Sequence, residues 1–537
     1  MKFTSARLPV LVVLCFVLTL FLRLYFAQAQ RTSFSTPMPA TARLTVPRAT
    51  LRQTAGAVAQ ADEALAYYRL KRTGEAGAPL SEARYREALA RLCQMPQHSL
   101  LAGKSVDASS ANTDLMRAGW QPLGPSLSAA TDLTAASCET DATAILAALL
   151  DPQRNLAGVS QGAASADGKA LFAAALGSGL WQGSSAWKKL DTVAGTIALD
   201  PQSAEHLFAS LGGLQLYQSD NRGQAFTPIS NGINDQGLFA PPLALEPSNA
   251  QHLWTGGSAI WRSADGGGQW EQVGQLTSGK ASAMAIAPEQ AFVLVGTSAG
   301  EIYRSADVTA TTWQAVQPRA GFVSSLIIDE QTVYATYSSF GGAHVWRSRD
   351  AGRTWESLDG AGLTALPDVP VHALVADSTQ AGRMFVATDL GLFVTYDGGL
   401  NWLRLQTGFG LTPVASLQLQ QVAGRATLYA FTQEAGVWQT TLEAEADWTY
   451  SLSAATATVN ATGGAGSVNV LTTNVCAWTA KQQRGVADDC DGRERTGNGS
   501  VQYQLRRTPN ACRAPGVLTI GGQTLSRHAT RRGQRAP

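Results

Sequence analysis

The stretch Ser348-Arg349-Asp350-Ala351-Gly352-Arg353-Thr354-Trp355 constrains this chain's fold more than any other. It follows a strand-like run, His344-Val345-Trp346-Arg347, and reads S-x-D-x-G-x-T-W. Gly352 can adopt positive φ without steric cost, and Asp350 can accept hydrogen bonds from the backbone of the same turn. Such an octet closes a tight hairpin and then commits Trp355 to whatever packs beside it. Ser263, Asp265, Gly267 and Trp270 repeat the pattern in register, as do Thr395, Asp397, Gly399 and Trp402. Ser219 to Phe226 is a weaker copy with Asn221 at the aspartate position, and Ser305 to Trp313 has one extra residue and no glycine.

Before each octet the same order recurs: an apolar strand, a turn of D-P or E-P type, a second strand, a glycine-bearing loop, and a third strand carrying an aromatic residue. Asp200-Pro201 and Glu246-Pro247 are two of the turns, which makes Asp200 and Glu246 structural. The aromatic marker falls at Trp181, Tyr217, Trp261, Tyr303, Trp346, Phe393 and Trp438, a period of roughly 40 residues, the size of a four-stranded propeller blade. The chain therefore reads as all-β, with about seven blades over residues 119–452. A pair of stacked sheets does not account for one turn recurring at one place in every repeat.

On these octets the chain resembles the Asp-box (BNR) propellers of the sialidase superfamily, which include sialidases, xyloglucanase-type hydrolases, sortilin-type receptors and a photosystem II assembly propeller. The resemblance covers roughly 146–452. It implies that Asp265, Asp350 and Asp397 hold hairpins on the face away from any active site. No Arg-Ile-Pro signature is present, and Arg154 is the lone arginine of 149–187, which argues against a working sialidase. An inverting hydrolase would require two carboxylates on the open face.

That open face is built from the loops between second and third strands and from the blade-to-blade connections. Candidate ligand-binding residues there are Asp235, Phe239, Tyr337, Phe340, Asp368, Asp389, Phe409 and Glu434, a mixture of aromatic rings and polar groups suited to a sugar or peptide. No phosphate-binding loop, G-x-S-x-G elbow or H-E-x-x-H motif occurs, and His206, His252, His344 and His372 read as core or rim residues rather than metal ligands. No cofactor and no metal is expected.

Outside the repeats, Lys2 and Arg7 precede an apolar run from Leu8 to Leu22, with Ala27-Gln28-Ala29 after it. Residues 1–29 read as a signal peptide or signal anchor, so the protein is exported: secreted, periplasmic or at the cell surface. Residues 30–118 read as a linker and helical spacer, with helical patterns near 55–71 and 81–95 and a helix start at Ser81-Glu82-Ala83-Arg84. A docking hairpin or a removable pro-segment is the alternative. A strand near Trp120-Gln121-Pro122-Leu123 marks the propeller boundary.

Residues 453–537 resemble a BACON module, a small immunoglobulin-like β-sandwich, with Ala457–Asn460 and Ser467–Val470 as a hairpin-like pair. The stretches 482–495, 504–515 and 525–537 depart from strand patterning, and a back-translation in GC-rich codons read in a shifted frame can restore it. The expectation is that compensating frameshifts, testable in the nucleotide sequence, produced them; on that reading Cys490 and Cys512 are accidental and the sandwich is degenerate or incomplete.

With 41 Lys+Arg against 40 Asp+Glu, the chain is not a dedicated nucleic-acid binder. The functional expectation is a monomeric, non-catalytic binding or scaffold module for a glycan or an envelope or extracellular protein, touching membrane only through an N-terminal anchor. The alternatives are a glycoside hydrolase of the sialidase or xyloglucanase type and an assembly factor.

Overall fold

The octet turns fold as their residues dictate. Ser348 Oγ donates to Asp350 Oδ1 at 2.7 Å and accepts the Gly352 N–H at 2.7 Å. Asp350 accepts the Thr354 N–H at 2.8 Å and the Thr354 hydroxyl at 2.7 Å. Ala351 and Gly352 take positive φ in succession (56° and 89°). The same bonds recur with Ser263 and Asp265, with Thr395 and Asp397, and with Ser219 and Asn221. Thr354 and the surrounding turn hold the Asp350 carboxyl well below the usual carboxylate range.

In three of the octets the closing tryptophan ties its blade to the previous one. Trp270 Nε1 donates to Ile229 O at 2.6 Å, Trp313 Nε1 to Val273 O at 2.8 Å, and Trp402 Nε1 to Leu358 O at 2.7 Å. Trp187, at the matching place in the first blade, donates to Leu123 O. Trp355 differs, since its indole donates to Gly352 O of its own turn.

The structure is a computed structural model. It describes residues 62–95, 97–100, 104–105, 120–124 and 142–151, all but short interruptions of 158–442, and the strands of 450–529. The expected signal segment 1–29 lies outside the described residues. Among the described helices none is long and apolar enough to cross a membrane.

Seven four-stranded antiparallel units follow one another, spanning 159–190, 196–228, 243–275, 281–316, 323–357, 371–405 and 414–442, the last completed by 121–124. We number these blades 1 to 7. All seven aromatic markers lie on third strands, and every octet turn joins a third strand to a fourth. Asp265, Asp350 and Asp397 therefore occupy equivalent corners of the ring.

Two features were not foreseen. Blade 7 takes its outer strand from Gln121–Gly124, which pairs with Val437–Leu442 and so joins the two ends of the propeller sequence in one sheet. Blade 6 is widened by Gln97–Ser99, parallel to Leu403–Leu405, and by Lys104–Ser105.

The innermost strand of five blades carries a register shift at its second residue, leaving Ser160, Ser282, Ser324, His372 and Ala415 as the extra residue. A bulge re-aims the side chain it frees. Ser282 Oγ uses this to donate to Val323 O and Ser324 Oγ to Val371 O, each on the next blade. Blade 6 has His372 at this position.

Among the described residues three α-helices accompany the ring: α1 (62–73), α2 (Glu82–Leu92) and α3 (Ala142–Leu150). Ser81 caps α2 by accepting the Arg84 N–H, as the sequence indicates. Tyr85, Leu89 and Leu92 of α2 and Ile145, Leu146 and Leu149 of α3 share one core with Leu366, Val369, Leu390 and Phe393 of the propeller. Burying each such side chain contributes about 1.5–3 kcal/mol, so α2 and α3 are integral to the ring. The region read as a spacer thus lies against the blades.

Toward the C-terminus, strands form a three-stranded and a five-stranded sheet. Thr456–Val459 and Gly464–Thr472 enter different sheets, the first parallel to Gln523–Ala529 and the second antiparallel to Gly499–Leu505. The expected hairpin between them is thereby replaced by a crossing from sheet to sheet.

Candidate active site at the mouth of the ring

The innermost strands of all seven blades line an axial cavity of about 500 Å³, and α1 lies across its mouth on the side opposite the octet turns. The helix is seated by specific contacts. Tyr67 packs on Phe239 (centroids 6.3 Å) and edge-on against Phe322 (6.0 Å). Ser338 Oγ donates to Lys71 O at 2.7 Å, and the Phe340 N–H to Arg72 O at 3.2 Å.

At the end of α1, Arg72 grips Asp389 with two bonds, Nε to Oδ2 at 2.8 Å and Nη2 to Oδ1 at 2.6 Å. Tyr85 Oη donates to Asp389 Oδ2 at 2.6 Å, and His372 Nε2 lies 2.7 Å from Oδ1. Arg72 also stacks over the Tyr68 ring, 3.6 Å from its centroid. Asp389 is fully buried. Burial alone would raise its carboxyl, but Arg72 and His372 more than offset this and hold it well below the usual range. Burial pushes His372 down to about 4 and Lys71 down to about 7, Arg72 adding to the effect on Lys71. His372 is neutral at physiological pH, donating from Nε2. Among the described residues His372 Nδ1, Tyr68 Oη and Gln433 Oε1 are buried without a partner, and all three side chains line the cavity.

The residues nominated from sequence are divided by this arrangement. Phe239, Phe340 and Asp389 each touch α1 or α2, Phe239 through Tyr67, Phe340 edge-on to Tyr85 at 4.9 Å and Asp389 through Arg72. Glu434 is buried near Tyr68, whose hydroxyl it helps to keep protonated. Asp368 stands half-exposed at the rim, accepting the Gly341 N–H at 2.7 Å and lying 3.3 Å from His344. Asp235 is consumed by its neighbours, accepting from the Ser258 hydroxyl and from Ala259 N and Trp261 Nε1, which fastens the 231–242 connection to blade 3. Tyr337 and Phe409 face no solvent. Tyr337 donates to Gly300 O, and Phe409 packs between Trp120 and Trp438.

Arg72, Tyr85 and His372 are the residues that sequence reasoning missed. Glu246, read as structural, is buried and accepts from Trp254 and Arg262 beside His252.

No family model matches the chain. A curated relative, the xyloglucanase of Hypocrea jecorina (strain QM6a), is 25% identical over a match covering 38% of this chain and 32% of the relative. Among solved structures, the GH74 enzyme of Niastella koreensis aligns at 17% identity with a TM-score of 0.45, covering 68% of this chain and 65% of its own. The GH74 xyloglucanase of Xanthomonas campestris aligns at 16% with a TM-score of 0.46, covering 68% and 66%. The chain spans about a third of the curated relative's length and just under two thirds of these structures.

This corrects the expectation of a non-catalytic binding or scaffold module. The curated relative is an enzyme, and the hydrolase alternative agrees with it.

Proposed function

We propose that this protein is an exported glycoside hydrolase of the xyloglucanase type, built on a propeller of the Asp-box superfamily. The observation that carries the reading is the xyloglucanase relative. It is supported by a buried carboxylate at the mouth of the axial cavity, Asp389, hydrogen-bonded to Tyr85 and to the cavity-lining Arg72 and His372, with the Tyr68 ring stacked under Arg72. Rings flanking a few convergent polar groups suit a saccharide, whose apolar faces stack and whose hydroxyls need partners.

An inverting glycosidase needs an acid and a base about 6.5–9.5 Å apart, with water between the base and the sugar. Asp389, held deprotonated, has the charge state of the base. Asp368 at the rim and Glu434 beside Tyr68 are the candidates for the partner carboxylate. His344 and the Gly341 N–H hold Asp368 low against the effect of burial, so for it to act as the acid a bound sugar must displace one of them.

The test is hydrolysis of xyloglucan oligosaccharides by the full chain, with products read by mass spectrometry and the first anomer by NMR. Asp389→Asn should lower kcat by about 10²–10⁴. Absence of any cleavage by the wild type and by variants with α1 displaced would overturn the reading.

A further inference from the structure

α1 and α2 are consecutive, yet they are held by different physics. α2 contributes Tyr85, Ala88, Leu89 and Leu92 to the large core it shares with α3 and blades 5 and 6. α1 contributes nothing to that core. Its apolar anchorage is smaller: Ala64 and Tyr67 around Phe239, Tyr67 edge-on to Phe322, and the buried ring of Tyr68. Its remaining fastening is polar: the Arg72–Asp389 pair, the two backbone bonds to 338–340, and Arg72 stacked on Tyr68. The segment between the helices is exposed at Glu75-Ala76-Gly77 and turns at Gly74, whose φ is 81°.

A buried ion pair recovers by attraction roughly what it loses by desolvation. A helix held chiefly by one is well positioned, and it leaves at modest cost when water or a ligand reaches the carboxylate it abandons, whereas a helix held by apolar burial does not. Release of α1 would also return the Lys71 ammonium to water, relieving its burial beside Arg72, while Arg72 itself gives up the charge of Asp389 that favours it.

The geometry points to α1 as a tethered plug: a segment of the chain that occupies the mouth of the propeller in competition with its saccharide, pivoting at 74–80 while α2 stays in place. The plug covers the axial cavity and neutralises its carboxylate with Arg72, so one movement both opens the site and frees Asp389. Tyr85 and His372 remain on Asp389 after release, because neither belongs to α1. The saccharide part of this inference rests on the hydrolase reading; the plug itself does not.

The experiment uses the full chain and three variants, Arg72→Glu, Arg72→Lys and Ser338→Ala. Hydrogen exchange is followed separately over 62–73 and 82–92, together with acylation of the Lys71 amine and binding of a xyloglucan heptasaccharide. Arg72→Glu places two carboxylates together, and we expect exchange over 62–73 and Lys71 acylation to rise at least about tenfold while 82–92 keeps its protection. Ser338→Ala should give a smaller rise in the same sense, and Arg72→Lys should restore most of the protection. Heptasaccharide affinity should rise in step with exchange over 62–73. Loss of protection over both helices together in Ser338→Ala, or unchanged protection over 62–73 in Arg72→Glu, overturns the plug. Selective release of 62–73 with no gain in saccharide binding or cleavage supports the plug and overturns the hydrolase reading instead.

Discussion

Arg72 and Asp389 are 317 positions apart in the chain, yet their side chains meet at 2.6 Å, both fully buried. The contact joins the segment that precedes the ring to a loop of its sixth blade, and it determines which groups at the mouth carry charge.

Removing one partner should therefore cost more than removing both. Arg72→Met leaves a buried carboxylate with only Tyr85 and His372, at a cost of about 3–5 kcal/mol. Adding Asp389→Asn removes the stranded charge and should recover part of that loss. Denaturant unfolding of the two single variants and the double variant gives the coupling energy, and additive losses would contradict the pairing.

The indole bonds between blades separate two tryptophans that look alike in sequence. Trp402 is fully buried and donates to Leu358 O on the preceding blade, whereas Trp355 is partly buried and bonds within its own turn. Trp402→Phe strands a carbonyl between blades and should cost about 1–3 kcal/mol beyond the lost volume. Trp355→Phe should cost less. Thermal unfolding of the two variants decides it, with equal losses counting against the inter-blade role.

The octet glycines can be ranked in the same way. A Cβ on Gly399 would lie 2.9 Å from Leu358 Cβ and 3.1 Å from its carbonyl, neither able to retreat, and φ there is 91°. At Gly352 the nearest atom, also at 2.9 Å, is Leu294 Cδ2, the end of a side chain that can rotate away. Both alanine variants carry left-handed strain of about 1–3 kcal/mol. Gly399→Ala should be the more destabilising by urea titration.

What the sequence made legible was local chemistry. Ser348, Asp350 and Gly352 complete their bonds within one octet, so the turn could be read from eight letters, and the aromatic markers kept their period because every blade needs a ring at the same depth. The strand at Gln121–Gly124 was recognisable as a strand, but its partner Val437–Leu442 lies at the far end of the propeller, and nothing local names it. The inner-strand bulges left a faint trace, an apolar residue followed by serine in Val159-Ser160, Ala281-Ser282 and Val323-Ser324, against which Val371-His372 stands out. Tyr337 and Phe409 were placed on the face because they sit in loops, but large rings gain more from burial than from display. The grip of Arg72 on the mouth carboxylate Asp389 comes from outside the repeats, across 317 positions, and no loop pattern encodes it.

The charged groups around α1 predict how its docking responds to pH. Lys71 faces Arg72, Asp389 and the cavity, and its pKa is depressed to about 7 when docked, against an ordinary value of 10.5. A depressed cation means the docked state binds fewer protons, so docking strengthens as pH rises from 7 to 10.5 and weakens on the way down. His372, beside Asp389, Lys71 and Arg72, is depressed to about 4, so its contribution is present above 6.5 and is lost as pH falls from 6.5 to 4. His344 runs the other way. Burial would lower it, but Asp359 and Asp368 more than offset that and raise it against the opposing Arg319, so the rim they share contributes below 6.5 and loses that contribution as pH rises through the raised value. Acidification should thus loosen the plug in two steps while tightening the rim beside it. Hydrogen exchange over 62–73, corrected for the intrinsic pH dependence, should rise from pH 9 to 7 and again below 6.5, with Lys71→Met abolishing the first step alone; protection that grows on acidification would show that other groups control the helix.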